Sequence, residues 1–200
     1  MRFFSALPAI WLIAACAEAA PAPAPANQRA VAVVAGGCFW CTEADFDKLP
    51  GVIATTSGYV GGKVANPTYE QVSAGDTGHI EALQVVYDPT KVSYARLVQH
   101  LFRTVDPLDS GGQFCDRGYQ YRSAIFVANS QQRSVAQAAK ARAAKALGKP
   151  IATLILPAAK FYPAEGYHQN YYKKNPVRYR YYRWNCGRDQ RLAKVWGDRK

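Results

Sequence analysis

The spacing of apolar and polar positions changes along the chain, and the changes divide it into elements. A continuous apolar run, Val31 to Ala35, stops at Gly36-Gly37; Cys38 follows at once, and Thr42 to Leu49 then carries Ala44 and Phe46 at helical spacing. This predicts a strand, a tight turn and a short helix, with Cys38 in the first turn. Val52 to Tyr59, opened by Pro50-Gly51, predicts a second strand. Residues 61 to 78 have many turn formers and little periodicity, which predicts a long surface loop, a kind of segment that is usually functional. Ile80 to Tyr87 alternates, which sets Glu81 on the same face as Leu83, Val85 and Tyr87. A carboxylate is thereby placed on an apolar surface.

Ser93 reads as a helix N-cap, and Tyr94, Leu97, Val98, Leu101, Phe102 and Val105 follow at helical spacing until Pro107. Leu108 to Tyr121 predicts a second loop, Arg122 to Ala128 a strand, and Ser130 to Leu147 an alanine-rich helix ended by Gly148 and Pro150. Lys140, Arg142 and Lys145 on that helix read as a solvated face. Ile151 to Leu156 predicts the last strand, followed by a long irregular tail. Strands and helices mixed in this order predict an α/β two-layer sandwich, a mixed central sheet flanked by helices.

Composition adds a boundary and a partner question. Two hundred residues, 49% hydrophobic, suit one domain with a core of its own. Arg2 and the apolar stretch Phe3 to Ala15 predict a secretory signal peptide over residues 1–19, too short to span a bilayer as a mature helix. Ile13-Ala14-Ala15-Cys16 is a competing lipobox that would leave an acylated Cys16, so a periplasmic or exported protein is expected, soluble or lipid-anchored. Ala20 to Asn27 extends this leader as a Pro/Ala-rich linker, leaving residues 29–200 as the domain. The net charge of +11 gathers late, among Tyr171, Tyr172, Tyr179, Tyr181, Tyr182 and Trp184. Such a pattern can stack single-stranded nucleic acid. An exported protein meets little of it, and a tail wrapped over the sheet is the simpler expectation, so no nucleic-acid partner is predicted.

The candidate chemistry centres on Cys38. A thiol in the first turn of a helix faces free N–H groups and the positive end of the dipole, which favour the thiolate and make it a nucleophile. Two bland readings compete: a buried small hydrophobe, or, with Cys41, a metal or general redox pair. His79 and His168 could join both cysteines in a zinc site, but Cys-x-x-Cys lacks a second closely spaced ligand pair, so no metal is predicted.

Gly37-Cys38-Phe39-Trp40 after a strand resembles the active-site signature of the A-type peptide methionine sulfoxide reductases. The likeness continues in Gly58-Tyr59-Val60-Gly61-Gly62, Asn66-Pro67-Thr68-Tyr69, Gly75 to Glu81, Tyr87-Asp88-Pro89 and Gln120-Tyr121-Arg122-Ser123, and covers roughly Val31 to Gln169. The resemblance implies thiol-dependent reduction of methionine S-sulfoxide, free or in proteins, as repair of oxidative damage, with no cofactor. Such chemistry needs a nucleophile for sulfur, a proton for the leaving oxygen and an apolar seat for the methyl group. Cys38 supplies the attack. Glu81 is the proton donor, since burial raises a carboxyl pKa, against the alternative of a rim residue paired with a cation. By resemblance, Tyr69 and Tyr121 bind the oxygen, Asp116 is an active-site aspartate, and Phe39 and Trp40 wall the methyl seat.

The sulfenic acid left on Cys38 condenses with a second thiol. Cys186 resembles the family's tail cysteine and ranks first, then Cys41, then Cys115; recycling by a thioredoxin-like reductant is implied. The chain departs from the common pattern at Cys41, often glycine, at Cys115, where asparagine is common, and in having one tail cysteine where two are usual. Nothing in the sequence calls for more than a monomer. The alternative function is a general thiol-disulfide oxidoreductase using Cys38 and Cys41, which has no need of Glu81 or the tyrosines.

Overall fold

The computed structural model describes residues 29–197, so the expected signal peptide with Cys16 and most of the linker lie outside the described residues. Strand β1 (Ala30–Gly36) leads through Gly37 into helix α1 (Phe39–Phe46), which begins earlier than the periodicity suggested. Strand β2 (Val52–Val60), helix α2 (Tyr69–Ala74), strand β3 (Ile80–Tyr87) and helix α3 (Tyr94–Thr104) follow. A two-strand hairpin, β4 (Gly112–Gln113) and β5 (Asp116–Arg117), and a 3₁₀ turn (Tyr119–Tyr121) precede strand β6 (Ser123–Val127) and helix α4 (Ser130–Leu147). The chain then forms β7 (Leu154–Pro157), β8 (Phe161–Pro163) and helices α5 (Tyr171–Lys174), α6 (Pro176–Asn185) and α7 (Arg188–Trp196).

Six strands form one mixed sheet in the order β7-β6-β1-β3-β2-β8; β6 and β7 run parallel across the α4 connection, and the other neighbours are antiparallel. Helices α1, α3 and α4 cover one face. Its core joins Val34, Leu83, Val85 and Ile125 of the sheet to Phe46, Leu97, Leu101, Ala136 and Ala139 of the helices. The helix predicted after Ser93 forms as expected, with the Ser93 side chain accepting from the Arg96 N–H, and α4 has the predicted bounds, capped by Asn129 and a left-handed Gly148. Lys140 is not simply solvated: its ammonium donates to the Thr153 carbonyl at 2.7 Å.

Three expectations are corrected. The loop between Gly61 and Gly78 contains α2, because Thr68 and Gln71 form a reciprocal capping box. The strand after Gly148 is not the last, since β8 pairs with β2 at the far edge. The tail is not irregular: Pro176 starts α6, and a left-handed Gly187 turns the chain into α7. Arg188, at the start of α7, is 1% exposed and donates to the carbonyls of Gly36 and Thr104, while its guanidinium lies over the Phe114 ring. The same tail sends Arg183 to Asp45 and Asp189, and Arg191 to Asp106, so these cations serve as internal docking points.

Among the described residues, no helix is long and apolar enough to cross a membrane.

Candidate active site

Sheet register explains why the site forms where it does. β1 and β3 pair antiparallel with Val34 opposite Leu83, so the C-terminal end of β1 lies beside the N-terminal end of β3, which carries Glu81. On the other side of β3, Tyr59 pairs with Glu81, and on the other side of β1, Gly36 pairs with Ser123, two residues after Tyr121. Segments distant in sequence therefore meet at one end of the sheet. Gly37 makes the turn there with φ +80°, and a β-carbon on it would lie 2.5 Å from Cβ of the buried Gln113. Only glycine fits, and the turn delivers Cys38 as the N-cap of α1.

Cys38 is 7% exposed and Cys41 is 2% exposed; both are free thiols, and they hydrogen-bond to each other. The predicted lowering of the Cys38 pKa is corrected. Burial, then the bond with Cys41 and the nearby Cys41, Glu81 and Asp116 charges, pushes Cys38 well above the ordinary thiol value. Cys41 is lowered to about 7, because Cys38 donates to it and Arg188 and Arg183 face it. The buried pair thus shares a proton, with the negative charge settling first on Cys41.

Glu81, 2% exposed, accepts the Phe39 N–H on Oε2 at 2.9 Å. Burial pushes its pKa up to about 8, only partly opposed by that bond, so the carboxyl is protonated at neutral pH. Tyr69, the first residue of α2, and Tyr121 hydrogen-bond to each other, and both feel the charges of Glu81 and Cys38. Burial, followed by the Glu81 charge, raises both phenols, Tyr69 to about 12, so each keeps its donatable proton. Glu165 anchors this wall by accepting the Tyr69 N–H and the Tyr59 hydroxyl, both at 2.8 Å.

Phe39 packs among Tyr59, Tyr69 and His168, with ring centroids 5.9, 6.5 and 4.9 Å away. Trp40 stacks on Tyr171 at 3.7 Å and 6°, and its indole N–H donates to His168 Nδ1 at 2.9 Å. That bond fixes the histidine tautomer, since an indole N–H can only donate. His168 is thus committed to Trp40, and His79 to the Val64 carbonyl and the Gly62 N–H, so the four residues weighed for zinc do not converge. Asp116, raised by burial, accepts the Tyr182 hydroxyl.

The candidates Cys38, Glu81, Tyr69, Tyr121, Asp116, Phe39 and Trp40 therefore cluster at one end of the sheet, with Cys41 beside Cys38. Cys186 is disulfide-bonded to Cys115, and both sulfurs lie within 4.8 Å of the Asp116 carboxylate. Sequence reasoning missed Tyr182, His168 as the partner of Trp40, Glu165 and Arg188. The Pro176 and Gly187 signals could have revealed the helices that carry Tyr182 and Arg188, whereas nothing local marks His168 or Glu165.

The chain is similar to known proteins over most of its length. The family model for peptide methionine sulfoxide reductase matches residues 30–200. The Rhizobium meliloti peptide methionine sulfoxide reductase MsrA 2 is 55% identical over 177 residues, 88% of each chain. The Bacillus subtilis MsrA is 46% identical over 173 residues, covering 86% of this chain and 98% of its own. Among solved structures, methionine sulfoxide reductase A of Corynebacterium diphtheriae superposes with a TM-score of 0.66 at 37% identity, covering 74% of this chain and 76% of that one. Reduced Mxr1 from Saccharomyces cerevisiae gives 0.71 at 34%, covering 74% and 87%. A sheet whose register gathers a cysteine, a protonated carboxyl and two tyrosines at one end, matched over nearly all its described length, places the chain in the peptide methionine sulfoxide reductase family.

Proposed function

We propose that the protein reduces methionine S-sulfoxide, free or within proteins, to methionine, with Cys38 as nucleophile and Glu81 as acid. The observation that carries this reading is the Glu81 carboxyl. It is buried beside Cys38, one oxygen takes the Phe39 N–H, and the raised pKa keeps a proton on the group at neutral pH. A sulfoxide oxygen placed against it receives that proton while the Tyr69 and Tyr121 hydroxyls donate to the developing charge, as donors in an oxyanion hole do. Phe39 and Trp40 take the methyl group.

As the substrate sulfur approaches, the Cys38 proton passes to its hydrogen-bonded partner Cys41, and Cys38 attacks sulfur. The attack joins the Cys38 sulfur to the substrate sulfur, and the oxygen protonated by Glu81 leaves as hydroxide as the S–O bond breaks. Hydroxide adds to the Cys38 sulfur as the S–S bond breaks, so that methionine leaves and Cys38 becomes a sulfenic acid. Cys41, now a thiol in contact with it, attacks the sulfenic sulfur and releases water, giving a Cys38–Cys41 disulfide. Cys41 ranks ahead of Cys186 because it already bonds to Cys38, whereas the Cys186 sulfur is held by Cys115. Two electrons from a thioredoxin-like dithiol restore the pair. Export, with or without an anchor at Cys16, is proposed on the N-terminal sequence alone.

The test offers the two epimers of N-acetyl-methionine sulfoxide with dithiothreitol as reductant. Consumption of the S epimer alone, abolished by Cys38→Ser, is expected; consumption of neither epimer contradicts the assignment.

A further inference from the structure

Tyr182 sits on α6 one turn before Cys186, and three contacts fix its ring. Its hydroxyl donates to Asp116 Oδ2, lies within hydrogen-bonding reach of the Cys38 sulfur, and its ring meets Trp40 edge-on with centroids 5.7 Å apart. A group touching Cys38, Trp40 and Asp116 together lies where the substrate side chain must enter.

The Cys115–Cys186 disulfide fastens both ends of this contact. Cys186 caps α6 just beyond Tyr182, and Cys115 is the neighbour of Asp116 in the β4–β5 hairpin. While the bond stands, Tyr182 and Asp116 cannot separate without moving α6 and the hairpin together. α6 is the heavier partner, tied to the body through buried Tyr179 and through Arg183 on Asp45. The hairpin is the lighter: each strand has two residues, its outer tie is the exposed Arg117–Asp109 pair, and Cys115 itself is exposed. Exposure of Cys115 also gives a protein dithiol access to this bond, while Cys38 and Cys41 are buried.

We propose that Tyr182 is an autoinhibitory plug in the sulfoxide seat and that the Cys115–Cys186 disulfide is the latch that keeps it there. This rests on the reading of Cys38, Trp40 and Asp116 as the substrate seat. An external dithiol opens the latch by two exchanges, ending as its own disulfide and leaving Cys115 and Cys186 as thiols. The hairpin then moves away with Asp116, the Tyr182 hydroxyl loses its acceptor, its ring is free to rotate off Trp40, and the seat admits substrate. The enzyme is thus open only where reducing equivalents are available to complete its cycle.

The test uses the full mature chain carrying Cys38→Ser, which can bind but not reduce. N-acetyl-methionine S-sulfoxide is titrated by calorimetry into the latched protein and into the same protein opened by a phosphine, the two states verified by one and three free thiols. A plug closed about nine-tenths of the time weakens apparent binding roughly tenfold, so opening should tighten it by that factor. Adding Tyr182→Ala should give the tight value in both states. Adding Cys115→Ser, which removes the latch and spares the tyrosine, should give it without the phosphine, and this variant decides the matter if Tyr182→Ala does not fold. Equal affinity in both states of the Cys38→Ser protein overturns the plug and leaves the reductase reading standing. Binding in neither state overturns both.

Discussion

At the scale of single residues, the proposed acid Glu81 should set the pH behaviour. Its carboxyl must carry a proton to act, so reduction should fall as pH rises through about 8, while the acid limb follows ionisation of the Cys38–Cys41 pair near 7. Glu81→Gln should lower kcat/KM roughly 10²- to 10⁴-fold, the range for a general acid, and flatten the alkaline limb, both read from a pH–rate profile. The same shift acts on stability. The folded pKa is raised from the ordinary 4.5, so the native state holds the proton more tightly than the unfolded chain; this contribution is complete below 4.5 and is lost as pH rises to about 8. Urea midpoints across that window should decline in the native sequence, and less in Glu81→Gln. An unchanged alkaline limb in the variant contradicts the assignment of the acid. Cys38 is the contrasting case. Its helix-start position and its neighbour Cys41 were visible in the sequence, but the desolvation that raises its pKa was not, because it depends on what packs over the helix start.

At the scale of elements, α2 supplies Tyr69 and depends on its cap. Thr68→Ala removes the acceptor for the Gln71 N–H and should cost about 1 kcal/mol. It should also raise KM more than a surface substitution of equal stability cost, since Tyr69 follows the cap directly. Gly37→Ala should be harsher: the left-handed turn and the approach to Gln113 together predict a loss of roughly 1–3 kcal/mol and displacement of Cys38, measurable as lost thiol reactivity. Period-two and period-3.6 patterns made β3, α3 and α4 legible because each buries one face in the main core. α2 was missed for lack of a buried stripe, its only fully buried side chain being Val72. α6 and α7 were missed because arginines and tyrosines occupy their inward positions, as at Tyr179 and Arg188, and hydrophobic spacing does not register them. Most of the site was legible by family resemblance to local motifs. The His168–Trp40 and Glu165–Tyr69 links span 128 and 96 residues and leave no local trace.

At the scale of the whole molecule, a basic tail is locked to the body by a few buried acids. Asp45 on α1 holds Arg183 and lies 3.8 Å from Arg188, whose guanidinium reaches the carbonyl of Gly36 just before the nucleophile's turn. Asp45→Ala removes the buried acceptor of Arg183, which keeps Asp189, and the nearest carboxylate to Arg188, which keeps its two carbonyls, and should destabilise by about 1–3 kcal/mol, visible as a lower urea midpoint. Because both arginines help lower the Cys41 pKa, Arg183→Gln should also move the acid limb of the rate profile upward. Tail docking and thiol chemistry are in this way one system. The most direct test of the whole account is a single turnover: fully reduced mature protein is mixed with methionine S-sulfoxide, no reductant is added, and the disulfides formed are mapped by mass spectrometry. The account predicts methionine in amounts stoichiometric with enzyme, a Cys38–Cys41 disulfide as the first bond formed, and no product from Cys38→Ser. Product that persists in Cys38→Ser, or none from the native sequence, would contradict it.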